Sequence, residues 1–305
     1  MSISSQPEPR AGATTSGGNP LTGRTAFISG GSRGIGLAIA RSLARAGANI
    51  ALIAKTDRPH PRHPGTIHDA AAELRGLGAE VLPLVGDIRD QDRVTEAVAE
   101  TAARFGGIDL CINNASALNL GDVASLSIKH FDLIQSVNVR GTFAVTQACL
   151  PHLRNSDHAH VLTLSPPLNL DPRWFAPAGY TVSKYGMTIV TLGVAQSEAE
   201  HGIAANCLWP LTAIATAAVR NLLGGGATIA HSRTPELVAD AATIILSREP
   251  SAYSGHAVIA EDVLAEAGIS DLSPYDVTPD QRSYAPDFFI DESRLPVPDL
   301  TQARP

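Results

Sequence analysis

Lysine is nearly absent from this chain of 305 residues: of its 23 basic side chains only Lys55, Lys129 and Lys184 are lysines, the rest arginines. Runs of basic residues are missing too, and the formal net charge is −7, which removes the electrostatic footprint of a nucleic-acid binder. Nucleic acid is therefore not expected as a partner. Cysteine is scarce: Cys111, Cys149 and Cys207 stand far apart among mainly apolar neighbours, without the spacing of a zinc site or a redox pair. Reduced, buried thiols follow. No apolar stretch approaches the roughly 18 residues of a spanning helix. The first 20 residues are rich in Ser, Gly and Pro and have no apolar core that would make a signal peptide. A cytoplasmic protein without a membrane span is the expectation.

Composition divides the chain into a polar N-terminal tail (1–20), a compact region (21–268) and a Pro/Asp-rich C-terminal extension (269–305) in which Pro274, Pro279, Pro286, Pro296 and Pro298 interrupt any long helix. In the compact region brief Ile/Val/Leu-rich runs at 25–29, 49–54, 80–85, 110–113, 160–165, 204–209 and 256–260 alternate with helical patterns starting near Gly34, His68, Gln91, Ser127, Ala178 and Pro235. This alternation predicts one α/β domain, a Rossmann-type doubly wound parallel sheet of about seven strands with helices on both faces. Ligands of such a sheet bind beyond the carboxyl ends of its strands. The residues just after each strand are therefore the candidates for function.

After the first run comes Ser29-Gly30-Gly31-Ser32-Arg33-Gly34-Ile35-Gly36. Gly30, Gly34 and Gly36 permit a tight turn and close backbone approach, and the amides of Ser32, Arg33, Gly34 and Ile35 open the following helix toward a pyrophosphate. A second glycine cluster, Gly224-Gly225-Gly226, follows no strand and reads as a flexible loop. Where a carboxylate would hold a ribose 2′-hydroxyl, the second run ends in Lys55-Thr56. Lys55 and Arg33 suit a 2′-phosphate, so NADP(H) is preferred, with NAD(H) left possible by Asp57. Asp87 and Ile88 after the third run are candidate adenine contacts.

Asn138, Ser165, Tyr180 and Lys184 form the candidate catalytic set. Tyr180 and Lys184, four apart, share one helix face. Hydride transfer to a carbonyl leaves an alkoxide that needs a proton, and a tyrosine with an ordinary pKa near 10 serves only if a cation stabilises its phenolate. Lys184 is that cation in this reading, Ser165 holds the substrate oxygen, and Asn138 anchors a water that relays the proton. His158 and His160 lack a third ligand, so no metal is expected.

On these residues, together with Asn113-Asn114-Ala115 after the fourth run, the chain resembles the short-chain dehydrogenase/reductase family over about residues 21–262. The resemblance implies that Asn138, Ser165, Tyr180 and Lys184 are a catalytic tetrad, that the cofactor is NAD(P)(H), and that subunits pair through long helices into a homodimer or homotetramer. Closer still is a likeness to the hydroxysteroid dehydrogenase-like branch, carried by Ala54-Lys55-Thr56, Pro59-His60-Pro61, Gly65-Thr66-Ile67, the 165–170 stretch, Trp174-Phe175, Trp209-Pro210, Thr212-Ala213-Ile214 and Asp287-Phe288-Phe289-Ile290-Asp291. Some mammalian members of that branch add a sterol-carrier-like domain; this chain ends before one, and Gln302-Ala303-Arg304-Pro305 is not a peroxisomal address. Where the family has Pro-Gly after its sixth strand, Pro210 is followed by Leu211, so clamping of the nicotinamide falls to Pro210, Thr212 and Ile214.

Apolar residues at 211–231 and Leu168, Leu170 and Trp174 border the expected nicotinamide position. They fit a lipophilic alcohol or carbonyl substrate and a place in lipid metabolism, or else pack against a subunit or the C-terminal extension. The enzymatic expectation is an NADP(H)-preferring oxidoreductase acting on CH-OH groups. The alternative is a non-catalytic, dinucleotide-dependent lipid-binding or sensor protein.

Overall fold

The computed structural model describes residues 20–59 and 65–295. The tail before residue 20, His60 and Pro61, and residues 296–305 with Pro296, Pro298 and the final four lie outside that range.

Seven strands, β1 (Thr25–Ser29), β2 (Asn49–Ala54), β3 (Val81–Val85), β4 (Leu110–Asn113), β5 (His160–Thr163), β6 (Ala204–Trp209) and β7 (Ala257–Ile259), form one sheet in the order β3-β2-β1-β4-β5-β6-β7. Every neighbouring pair is parallel. Strands buried on both faces read as continuous apolar runs, which is why these short segments stand out in the sequence. The order reverses between β1 and β4, and that switch point opens the crevice where this fold binds ligands.

The helices are α1 (Gly34–Arg45), α2 (Ile67–Gly76), α3 (Gln91–Phe105), α4 (Ile128–Gln135), α5 (Gly141–Leu153), α6 (Ala178–Ser197), α7 (Ala217–Leu222), α8 (Gly225–Ala230), α9 (Glu236–Leu246) and α10 (Ala260–Glu266). One face of the sheet packs on α1, α2, α9 and α10 through Leu37, Leu43, Leu74, Leu237, Ile245 and Leu264. The other packs on α3 and α5 through Val94, Val98, Val145 and Cys149. Local chemistry sets the ends: Thr66 and Asp69 form a capping box on α2, Asp90 caps α3, and Gly106 ends α3 in the left-handed region.

Three local expectations change. β5 stops at Thr163, so Ser165 lies two residues past the strand. The helix predicted near Ser127 continues from α4 through a π turn, Ser136–Arg140, into α5. The 224–226 glycines do not make an open loop: Gly224, at φ +93°, joins two short helices, α7 and α8. After α10 the chain runs back to the carboxyl ends of the strands, where Thr212 pairs with Pro286 and Arg233 with Asp276.

Candidate active site

Ser29, the last residue of β1, pairs with Ile53 on one side and Asn113 on the other, and the chain then turns sharply at Gly30, φ +71°. A Cβ on Gly36 would lie 2.4 Å from Asn114 Nδ2 and 2.6 Å from the Gly30 carbonyl oxygen. The space is taken because Asn114 Nδ2 donates to the carbonyls of Ser29 and Gly30 at 3.1 and 3.0 Å, while the Asn114 and Ala115 amides both reach Ser29 Oγ at 3.2 Å. Two of the three predicted glycines thus serve the packing of the loop on the 114–115 segment. The start of α1 has no side-chain cap, so its first amides remain available to an anion. Thr216, which the sequence reading did not single out, reaches this loop: its Cγ2 would lie 3.4 Å from a Cβ on Gly34.

At the β2 end of the crevice, Lys55 is exposed just past the strand, and Arg33 extends to the Gly65 carbonyl at 3.2 Å. Neither forms an ion pair among the described residues. Asp57 instead pairs with His68 at 2.7 Å, and Asp87 is held by Arg89, whose guanidinium keeps that carboxyl below the usual range. Ile88 is buried where Gly141 opens α5.

At the other end, the π turn carries Asn138. Its side chain has protein partners at both ends: Oδ1 accepts from the Ala117 amide at 2.7 Å, and Nδ2 donates to the Ala117 carbonyl at 3.0 Å and Ser183 Oγ at 2.9 Å. Ser183, a second residue the sequence did not flag, donates in turn to the Tyr180 carbonyl at 2.7 Å. Asn138 therefore ties the first turns of α6 to the 117 segment. π turns inside helices frequently mark such sites.

Lys184 and Thr188 on α6 bracket the strand exit, donating to the Leu164 and Pro166 carbonyls, each at 2.8 Å. Ser165 lies between them, fully buried; its hydroxyl meets the Cys207 thiol and has no nitrogen or oxygen hydrogen-bond partner among the described residues. Lys184 is 2% exposed with its ammonium 4.8 Å from the centre of the Trp209 ring. Burial lowers it to about 7, against the pull of the Asp287 carboxylate. Tyr180 is 5% exposed, and burial, with Asp287 adding to it, pushes its phenol above the ordinary tyrosine value.

Asp287 arrives from the C-terminal segment. The Tyr180 ring stacks on Phe289 at 5.9 Å and meets Phe288 edge-on at 6.1 Å. Three consecutive carbonyls of this strap are gripped from the body of the protein: Phe288 by Trp209 Nε1 at 2.8 Å, Phe289 by Asn169 Nδ2 at 3.1 Å, and Ile290 by Arg173 at 2.9 Å. The grip holds Phe289 at φ +67°, a strained value for a bulky residue. Of the apolar residues expected near the nicotinamide, Leu211, Ala213 and Ile214 are buried, whereas Leu168 and Leu170 are exposed. Pro210 and Thr212 are buried at the same strand exit, between Trp209 and the strap. His158 and His160 direct Nε2 to the Leu246 and Arg248 carbonyls at 2.8 and 3.0 Å.

The family model described as short chain dehydrogenase matches residues 24–224. The chain belongs to the short-chain dehydrogenase family. Within it, the chain is similar to the hydroxysteroid dehydrogenase-like proteins: it is 47% identical over 274 residues to hydroxysteroid dehydrogenase-like protein 2 of Xenopus tropicalis, covering 90% of this chain and 65% of that protein. The chain thus spans just under two thirds of that relative. A short chain dehydrogenase from Mycobacterium thermoresistibile shares the structure with a TM-score of 0.85 at 51% identity, covering 93% of this chain and all of that one. The fold is also that of a metagenomic short-chain oxidoreductase solved with NADP (TM-score 0.65, 21% identity, 79% of this chain and 97% of that one). Carveol dehydrogenase from Mycobacterium avium, solved with NAD, shares it as well (TM-score 0.68, 20% identity, 78% of this chain and 96% of that one). Among the described residues, no helix is long and apolar enough to cross a membrane, and no group of three or more His, Cys, Asp or Glu side chains is placed to hold a metal ion.

Proposed function

We propose that this short-chain dehydrogenase interconverts a lipophilic alcohol and its carbonyl compound, using NADP(H) in preference to NAD(H). The observation that carries the reading is the fully buried Ser165 hydroxyl, without a nitrogen or oxygen partner among the described residues, at a strand exit gripped by Lys184 and Thr188 of the helix that also carries Tyr180. A buried hydroxyl without a partner is costly, and a substrate oxygen would satisfy it.

The glycine turn and the uncapped start of α1 fit a pyrophosphate, with Ser32, Ile35 and Thr216 at its rim; Asn114 and Ala115 hold that loop in place. Lys55 and Arg33 are the cations for a 2′-phosphate, and Asp87 and Ile88 border the adenine. A nicotinamide dinucleotide bound there would supply or accept the hydride. Ser165 donates to the substrate oxygen, and Tyr180 gives it a proton during reduction or removes one during oxidation. A phenol raised by burial is a poor acid alone. Lys184, lowered by burial to about 7, stabilises the phenolate in its ammonium form, gaining and losing no proton in the step. Asn138 fixes the first turns of α6 through Ser183 and anchors the water that relays the proton outward.

The strap extends the catalytic unit beyond residue 268, so the extension is a working part of the site in this reading. The substrate meets an aromatic surface of Trp174, Phe288 and Tyr180, which favours an apolar body. Subunits pair through the apolar groove between α5 and α6, lined by Phe143, Leu150, Val190 and Val194; sedimentation of a monomer would overturn this part. A cytoplasmic location belongs to the same proposal and is read by cell fractionation. The test of function is turnover of purified protein on lipophilic alcohols and ketones with NADP(H) and NAD(H) compared directly. Dinucleotide binding without turnover on any of them would favour the sensor reading.

A further inference from the structure

A buried charge cluster lies behind the strap and takes no part in the chemistry described so far. Glu261, in the first turn of α10, accepts from the Leu211 amide at 2.8 Å and from the Thr212 hydroxyl at 3.4 Å. Arg233 pairs with the same carboxylate at 3.2 Å and with Asp276 at 3.5 Å, and both members of the Arg233–Glu261 pair are less than a tenth exposed. The guanidinium lies 4.4 Å from the centre of the Tyr284 ring, and the Tyr284 hydroxyl donates to Asp276 at 3.0 Å. The backbone repeats the pattern: Arg233 exchanges hydrogen bonds with Ala213 and Ala215 at 3.0 and 2.8 Å, and the Ala213 and Asp287 amides donate to Ala285 and Leu211 at 2.8 and 3.1 Å.

One cation and two carboxylates thus join the segment after β6 to the segment that becomes the strap. Buried ion clusters add little net stability, because desolvation consumes most of the attraction. What they add is a defined position for each group they bond. Leu211, standing where the resembled family has glycine, presents a buried amide just after Pro210, and Glu261 is its partner.

We propose that Glu261 is a positioning residue for the dinucleotide. It holds residues 211–214 on the path that borders the nicotinamide, while Trp209, Asn169 and Arg173 hold the strap over Tyr180 independently of it. This rests on the dinucleotide reading above. The substitution Glu261→Ala leaves the Leu211 amide unpaired and Arg233 short of one neutralising charge; Glu261→Gln keeps one acceptor for that amide.

The test uses the full chain and measures dissociation constants for NADPH and NADH by tryptophan fluorescence, since Trp209 lies on Lys184, together with KM and kcat. The expected result is a rise of about tenfold or more in the dissociation constant and cofactor KM for Glu261→Ala, with kcat within about threefold and a smaller rise for Glu261→Gln. If either variant melts earlier yet binds dinucleotide as tightly as wild type, Glu261 is merely structural and the proposal is overturned. If Glu261→Ala does not fold, Glu261→Gln decides alone. A wild-type protein that binds neither dinucleotide overturns the functional reading instead.

Discussion

The substitution Asp287→Asn isolates the strap's electrostatic contribution. Burial, with Glu261 nearby adding to it, raises the Asp287 carboxyl from 3.8 to about 7; the Phe288 amide and the Lys184 ammonium act the other way. Below about pH 4 the folded and unfolded chains both carry the proton. As the pH rises toward 7 the unfolded chain releases it while the folded chain keeps it, so stability falls through this window and the loss is complete above about 7. The whole shift corresponds to about 4 kcal/mol. The part between about pH 5 and 7, reduced by screening at the partly open edge of Asp287, is ~1.5 kcal/mol. Asparagine keeps the acceptor for the Phe288 amide, 2.6 Å away in the wild type. Loss of the charge costs Lys184 little at about pH 8, where an ammonium lowered to about 7 is mostly neutral. Urea denaturation of both proteins at about pH 5 and pH 8 should therefore show the variant gaining on wild type by ~1.5 kcal/mol across the range. A difference that stays constant, or that shrinks as pH rises, would refute the placement of a half-buried carboxylate beside Tyr180 and Lys184.

Other outcomes follow from single contacts. The Gly36→Ala substitution puts a methyl group against Asn114 and the Gly30 carbonyl, so it should destabilise the fold by roughly 1–3 kcal/mol and weaken dinucleotide binding, read by thermal melts with and without NADPH. In Phe289→Ala the aromatic cluster over Tyr180 empties at a cost of about 3–5 kcal/mol, and the left-handed backbone strain stays because alanine keeps the Cβ; a melt unchanged from wild type would show that the strap is not seated. Lys55→Asp should shift preference from NADP toward NAD, visible as a fall in the ratio of the two kcat/KM values; an unchanged ratio would remove Lys55 from cofactor choice.

Much of the frame was legible because the forces that build it are local. Strands buried on both faces show as unbroken apolar runs, and the glycine turn follows directly on the first of them. Tyr180 and Lys184 share a face through helical spacing alone. The π turn at 136–140 was not legible, since α4 and α5 run together without a break in pattern. Neither was the strap: Asn169 meets Phe289 across 120 residues, and Arg173 reaches Ile290 across 117. A Pro/Asp-rich extension gives no period that would announce such contacts. The Asp-Phe-Phe-Ile-Asp cluster was a signal, an aromatic pair between carboxylates in an otherwise polar stretch, but only the fold shows what it covers. The role given to Asn138 also depended on distance, because its bonds to Ala117 and Ser183 span 21 and 45 residues.

The central claim is that Tyr180 moves the proton while the rest of the site binds. The most direct measurement compares wild type with Tyr180→Phe for NADPH binding by fluorescence and for NADPH oxidation on a ketone that the wild type reduces. The account predicts a dissociation constant within about threefold of wild type and a turnover rate lower by about two orders of magnitude or more. Turnover by Tyr180→Phe at the wild-type rate would contradict it.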